Sequence, residues 1–460
     1  MERLKPLDAG FLEAEDSDRH VSLAVGGLSI IEGPEPDFDA LCANIAERIL
    51  RVPRFNQVLK THVLDLNPPE WVEDESFDLS HHVHRVALPS PGDDAALYRL
   101  VADIMERRLD RDRPLWECWV IEGLQDGRWA LLMKIHHCIA DGIATVHMFS
   151  GLADEGEVSN YASEIRAARS QNTGSDAPKI SVNPLSWASG AWKLARSATS
   201  AAQLAFEGAL EVTTGLLQPA AASSLVGPVS TMRRISAAQV SLRDVRNICD
   251  TFGVTINDVA LAAITDSFRA ALLRRGERPR HNSLRTLVPV SIRSNDALGV
   301  PDNRVSLMLP FLPVEKEDPV EQLRAVHRRL SRTKGSGQRE AGAVFVAAAS
   351  VVPFPFTAWA VRVLTKLPQR GVVTLATNVP GPRQRMRIMG REVVRVVPIP
   401  PIALQLRTGI AILSYADDLV FGITGDFDTA ADIDELARGI EAAVARLAAW
   451  SAENHDDRAG

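Results

Sequence analysis

Cysteine is scarce: four residues in 460, at Cys42, Cys118, Cys138 and Cys249, with no C-x-x-C spacing. That pattern supports neither a disulfide framework nor a cysteine-held zinc site, and it fits a reducing cytoplasm. A basic excess is missing too. Lys and Arg number 51 against 58 Asp and Glu, a formal net charge of -7, which argues against a general affinity for nucleic acid. The chain has no G-x-S-x-G elbow, no P-loop and no G-x-G-x-x-G fingerprint, so serine-hydrolase and nucleotide-binding readings find no support. No basic segment followed by an apolar core opens it, and no signal peptide is expected. One apolar run, Ala343 to Val361, has the length of a membrane span. Pro353 and Pro355 would break a single helix there, so two short segments are expected, with a surface resting on a bilayer as the alternative.

What is present reads as a soluble globular chain, 46% hydrophobic and 24% charged. Its length predicts two domains. The composition divides it into an N-terminal domain over 1–155, a linker over 156–228 that is polar and then helix-prone, a C-terminal domain over 229–450, and a loose tail over 451–460. Apolar spacing predicts helices at Phe38 to Ile49, from a capping Asp94 to about Arg108, at Pro319 to Arg332 and at Ile433 to Trp450. Ser241-x-x-Asp244 and Thr255-x-x-Asp258 read as capping boxes opening two more. Strands are expected at Trp119 to Ile121, Leu284 to Val290, Val305 to Leu312, Val372 to Leu375, Thr408 to Tyr415 and Leu419 to Thr424, with a turn at Asp417-Asp418. The cluster His81-His82-Val83-His84 has no nearby cysteine to complete a metal set and reads as packing or solvated residues.

The chemistry concentrates in Ile135-His136-His137-Cys138-Ile139-Ala140-Asp141-Gly142. The alternation Trp129, Leu131, Met133, Ile135 predicts a half-buried strand that ends on the two histidines. Adjacent side chains in extended chain point to opposite sides, so one imidazole can face a pocket and the other the structure. A neutral imidazole can take a proton near pH 7. Asp141 is placed to bond the backbone, orient a ring or pair with an arginine, and Gly142 permits a close approach or a positive φ. The diverging rings argue against one shared metal ion, and Cys138 reads as a small buried apolar residue.

His136-His137-x-x-x-Asp141-Gly142 resembles the signature of chloramphenicol acetyltransferase, condensation domains and coenzyme-A-dependent acyltransferases. Leu7-Asp8-Ala9-Gly10-Phe11, Arg113-Pro114-Leu115-Trp116, Asn257-Asp258, Pro289-Val290-Ser291-Ile292-Arg293, Asn303-Arg304-Val305-Ser306 and Asn378-Val379-Pro380-Gly381-Pro382 narrow the resemblance. Together they look like the bacterial wax ester synthase/acyl-CoA:diacylglycerol acyltransferases, and among them the actinobacterial triacylglycerol synthases. Cys138 departs from the Ala or Val frequent there, at a tolerant position.

The resemblance implies an α/β (α+β) fold of two chloramphenicol acetyltransferase-like domains, each a mixed sheet flanked by helices, with the active-site channel between them. It implies long-chain acyl-CoA as donor, diacylglycerol or a long-chain alcohol as acceptor, no cofactor, and peripheral contact with the membrane's inner face or lipid droplets. His137 is then the general base, with His136, Asp141 and Gly142 shaping its loop. Arg293 is the candidate partner for Asp141, Asn257 and Asn378 are candidates to face substrate, with turn chemistry as the other reading of Asn378, and Asp258 has a capping role. Pro114-Leu115-Trp116 is expected to pack beneath the loop. Two rival readings are a carrier-protein condensation-type acyltransferase, which needs a carrier-docking surface, and an idle lipid-droplet binding protein, against which the intact histidine motif speaks.

Overall fold

The alternating run before the histidines forms a strand, Arg128–His136, antiparallel to Ala24–Ile31 on one side and to Trp116–Leu124 on the other. In this computed structural model, residues 2–49, 52–61, 68–139, 151–154, 223–291, 305–335, 372–403 and 405–459 are described. The strand is buried on both faces rather than one, down to Lys134. The helix Asp94–Met105 covers the Lys134 face, where the ammonium donates to Ile104 O at 2.9 Å and lies 3.5 Å from Glu117 Oε2. On the opposite face Trp116, paired with Ile135, reaches Phe55, its indole N–H donating to Phe55 O at 2.9 Å. A central strand covered twice shows no solvent side, so alternation under-reports its burial.

Six strands make this first sheet, in the order Arg387–Ile388, Arg391–Ile399, Ala24–Ile31, Arg128–His136, Trp116–Leu124, Val83–Ala87. Only the last pair is parallel. The second sheet runs Val305–Met308, Leu284–Ser291, Thr374–Pro380, Thr408–Tyr415, Asp418–Asp426, Arg233–Ser241, with Phe311–Leu312 pairing to Leu284–Ser291. Thr374–Pro380 is parallel to both neighbours. Helices Leu242–Phe252, Ile256–Arg274 and Ile433–Ala459 pack into the core of this sheet through residues such as Ile248, Ile264, Phe268 and Ile440. Among the described residues the fold is thus α/β, with two large mixed sheets flanked by helices and a small antiparallel sheet in the order Glu2–Arg3, Glu70–Glu73, Gln57–Lys60.

Arg391–Ile399 belongs to the C-terminal part of the sequence, yet it hydrogen-bonds to Ala24–Ile31 and completes the first sheet. It also packs against the second sheet. Tyr415 donates its hydroxyl to Val393 O at 2.7 Å and accepts from Met386 N–H at 2.9 Å. Val379, Leu413, Tyr415 and Val420 are buried in the first core although their strands belong to the second sheet. The closest approach falls at Gly422, where an added Cβ would overlap the carbonyl oxygen of Pro398. Neither strand can yield without losing ladder bonds. Gly422→Ala should therefore destabilise by about 1–3 kcal/mol or more, read as a lowered urea midpoint; an unchanged midpoint would show that the strands can part at no cost.

Most predicted elements appear, some with shifted bounds. Phe38–Ile49 is a helix as read. Ser241 accepts from Asp244 N–H, and Thr255 with Asp258 forms a complete capping box. The cap of Asp94–Met105 is Asp93, whose side chain accepts from Ala96 N–H at 2.7 Å, not Asp94. Two adjacent aspartates offer two caps, and the one in extended backbone wins. Val305 to Leu312 is interrupted at Leu309-Pro310, because proline cannot donate to a ladder. The strand expected at Val372 to Leu375 is Thr374–Pro380. The tail expected to be loose continues the last helix to Ala459, no proline or glycine interrupting it before Gly460. An opening helix, Pro6–Ser17, and the strand Arg391–Ile399 were not foreseen.

Among the described residues no single helix is long and apolar enough to cross a membrane. Leu242–Phe252 and Ile256–Arg274 reach that composition only as a pair bent by 102°, and their apolar faces are already spent in the second core. Ala343 to Val361 lies outside the described residues, as does most of the expected linker.

Candidate active site

The chain turns immediately after His136, and the two imidazoles separate. His136 is buried at 1% exposure; His137 is half-buried. The turn is held by its backbone. His136 N–H donates to Leu115 O at 3.0 Å, His137 N–H to Leu23 O at 3.0 Å, and Ile139 N–H to His136 O at 3.0 Å. Pro114, Leu115 and Trp116 are buried directly beside this turn, which is the packing role read for them.

Both rings meet the helix Pro6–Ser17, which begins with proline at its first position, where no N–H is needed. Phe11 and Glu15 are four residues apart and so share a helix face. The Phe11 ring stacks on His137 with centroids 4.3 Å apart and planes 22° apart. The Glu15 carboxylate, 1% exposed, lies with Oε2 3.5 Å from His136 Nε2. Its Oε1 accepts from Leu23 N–H at 2.9 Å and its Oε2 from Arg111 Nη2 at 2.7 Å. Cys138 N–H donates to His136 Nδ1 at 3.1 Å. A ring nitrogen that accepts carries no proton, so the neutral imidazole holds its proton on Nε2, toward Glu15.

Burial works to raise the Glu15 carboxyl, but His136, Leu23 N–H and Arg111 outweigh it and hold it at about 2. The ionised form therefore stabilises the fold above the ordinary 4.5, and that contribution is lost as pH falls from 4.5 toward 2. Across this window the wild type should take up more protons on unfolding than Glu15→Gln, giving a steeper acid loss of stability; equal slopes would deny the carboxylate this role. Cys138 is 2% exposed and burial pushes its thiol well above the usual range. A thiolate nucleophile is not available there.

The candidates on the second sheet have different surroundings. Asp258, 1% exposed, accepts from Thr255 N–H and Oγ1 at 2.9 Å each, and its Oδ2 lies 2.8 Å from His327 Nδ1. Its capping role is thus occupied, while Oδ1 is buried without a partner among the described residues. Asn257 is half-buried in the same first turn. Asn378 is in a strand rather than a turn, paired in parallel register with Ile412. Its Nδ2 and Oδ1 are both buried and both without a partner among the described residues. Ser414, on the next strand and the same face, also leaves its Oγ buried and unpartnered among the described residues. Asp141, Gly142 and Arg293 lie outside the described residues.

The histidine cluster at 81–84 packs. His82 stacks on both Phe77 and Trp116 and its Nδ1 lies 2.8 Å from Trp116 O, while His84 rests against Trp119. Among the described residues no group of three or more His, Cys, Asp or Glu is arranged to hold a metal ion.

Sequence reasoning missed Glu15 and Arg111, and it gave Phe11 no role. The one local signal was the four-residue spacing of Phe11 and Glu15, which has a meaning only once the opening segment is known to be helical.

Residues 4–260 match the model of the wax ester synthase/diacylglycerol acyltransferase catalytic domain, and residues 302–448 that of its C-terminal domain. The chain is 56% identical over 452 residues to a probable diacylglycerol O-acyltransferase of Mycobacterium tuberculosis, covering 98% of this chain and 96% of that one. It is 29% identical to the O-acyltransferase WSD of Acinetobacter baylyi, with 92% of each covered. The wax ester synthase/diacylglycerol acyltransferase from Marinobacter aquaeolei VT8 superposes with a TM-score of 0.68 at 25% identity, over 98% of this chain and 100% of that one. The first condensation domain of the calcium-dependent antibiotic synthetase, at 16% identity and a TM-score of 0.64 over 98% of this chain and 96% of that one, shares the fold. With both halves matched in order and a relative 56% identical over nearly all of both chains, the chain belongs to the wax ester synthase/diacylglycerol acyltransferase family.

Proposed function

We propose that the protein moves a long-chain acyl group from coenzyme A to diacylglycerol, forming triacylglycerol, and uses long-chain alcohols as second acceptors. The observation that carries the reading is the division of labour at the turn. His136 is buried, its Nδ1 accepting from Cys138 N–H and its Nε2 facing the Glu15 carboxylate at 3.5 Å. His137 stands half-buried with one ring face on Phe11, and is the imidazole to which the chemistry is assigned.

His137 takes the proton of the acceptor hydroxyl as its oxygen attacks the thioester carbonyl carbon. A C–O bond forms, and a tetrahedral oxyanion collapses with breakage of the C–S bond. The imidazolium returns the proton to the coenzyme A sulfur. No acyl-enzyme is required, and the buried, protonated Cys138 fits direct transfer. The oxyanion needs donors aimed at it before the reaction. The unpartnered amide of Asn378 supports its assignment to the substrate side. Asn257 is assigned there with it, and Asp258 to the helix cap. Asp141 paired with Arg293, and Gly142, are assigned to fixing the loop. The active-site channel is placed between the two sheets.

Lipid acceptors dissolve in membranes rather than water, so contact with a membrane or droplet surface belongs to the same proposal. Purified protein with palmitoyl-CoA and dioleoylglycerol vesicles is expected to release coenzyme A and form triacylglycerol, with hexadecanol competing as acceptor. Absence of both products under all acceptor conditions would defeat the reading.

A further inference from the structure

We propose that Glu15 is a positioning residue of the acyl transfer, one buried carboxylate that holds both histidines of the turn. This rests on the function proposed above, and it goes further in naming what fixes the base.

Two paths converge on Glu15. The first runs through a ring: Oε2 faces His136 Nε2, while Nδ1 of that ring accepts from Cys138 N–H. The imidazole is thereby fixed in one orientation and one tautomer. The second runs through the backbone. Oε1 accepts Leu23 N–H, and the carbonyl of the same Leu23 accepts His137 N–H. Leu23 lies immediately before the strand Ala24–Ile31, whose Ala24 is paired with His136. The carboxylate, the strand entrance and the turn therefore form one connected unit.

Charge balance supports an ionised group. Arg111 reaches Oε2 and also pairs with Asp16 at 2.9 Å, tying Glu15 to the segment just before Pro114-Leu115-Trp116. Arg108 donates to Val21 O at 3.0 Å and to Glu15 O, which anchors the helix end that carries the carboxylate. The same helix presents Phe11 to the His137 ring. Through residues four apart, one helix supports the face of the base and the ring of its neighbour.

A neutral amide does not replace this. In Glu15→Gln one oxygen becomes an NH₂ donor, set among Leu23 N–H, Arg111 and His136 Nε2–H, which are all donors. At least one of them loses its acceptor, and the turn relaxes. A shift of about 1 Å at a catalytic group costs on the order of 100-fold in rate.

The test uses the full-length enzyme with palmitoyl-CoA and dioleoylglycerol, with rates normalised to the folded fraction from circular dichroism. Glu15→Gln is expected to lower kcat by about 10- to 100-fold while the KM for palmitoyl-CoA stays within about twofold. Glu15→Asp, which keeps the charge but is shorter, is expected to fall between Gln and wild type. Glu15→Gln combined with His136→Gln is expected to be no slower than the worse single variant, since both break one link. A merely structural carboxylate would lower the folded fraction and leave the normalised kcat unchanged, and independent sites would give losses that multiply; either result overturns the proposal. On unaltered protein, ¹⁵N NMR of the histidine rings, assigned with His136→Gln, is expected to show His136 protonated on Nε2 in its neutral form. A proton on Nδ1 overturns the proposal even if every Glu15 variant misfolds. No product from the wild type removes the reading of function and this inference together, whereas full activity in Glu15→Gln removes the inference alone.

Discussion

His137→Ala should lower triacylglycerol formation by roughly 100- to 10,000-fold, the range a positioned general base contributes, with the fold intact. The loss is expected in kcat. The ring is half-buried and its recorded stacking partner is Phe11, whereas the backbone that shapes the turn bonds through N–H groups alanine also has. His136→Ala should behave differently. It removes a buried ring held by Cys138 N–H and facing Glu15, and leaves a charged carboxylate short of one neighbour. Its cost should appear in stability as well as in rate. Initial rates of coenzyme A release, set beside thermal melts of both variants, separate the two cases. Normal turnover in His137→Ala would assign the base elsewhere.

Trp116→Ala should produce the largest loss of stability, about 3–5 kcal/mol, the range for truncating a buried large aromatic. Its side chain is fully buried. It stacks on His82 with centroids 4.5 Å apart, tilts against Phe55 at 5.1 Å, and donates its indole N–H to Phe55 O. Truncation opens a cavity and strands that carbonyl and the His82 ring together. The neighbouring Leu115 O accepts His136 N–H, so the damage should reach the turn and depress activity at temperatures where the protein still folds. Trp119→Ala, at a half-buried position on the same strand, should cost less. Urea titrations followed by far-ultraviolet circular dichroism measure both; equal midpoints would mean the Trp116 cluster carries no special weight.

The elements that sequence reading located are those whose determinants are local. Thr255 and Asp258 announce a helix because the cap is a bond between residues three apart. The Thr408–Tyr415 and Asp418–Asp426 hairpin is marked by polar residues at its turn. The paired histidines stand out because adjacent residues diverge in extended chain. What escaped depends on distant partners. Glu15 looks like one more acid on an acidic stretch until His136 and Arg111, more than ninety residues later, are folded onto it. Arg391–Ile399 carries an ordinary apolar run, and nothing near it shows that its ladder partner is Ala24–Ile31. The half-burial expected for Arg128–His136 failed for the same reason: alternation is a statement about one face, and the cover on the other comes from remote chain.

That borrowed strand sets a timetable for synthesis. Ala24–Ile31 can pair with Arg128–His136 as soon as both have left the ribosome, but its other edge stays open until Arg391–Ile399 emerges. At about 5–20 residues per second, the intervening chain takes roughly 13–50 s to make. For that interval an eight-residue, mostly apolar edge is unpaired, the kind of edge that recruits other strands. A chain stopped before residue 391 should therefore need chaperone cover and associate with its own copies, while supplying the missing segment in trans gives that edge its proper partner.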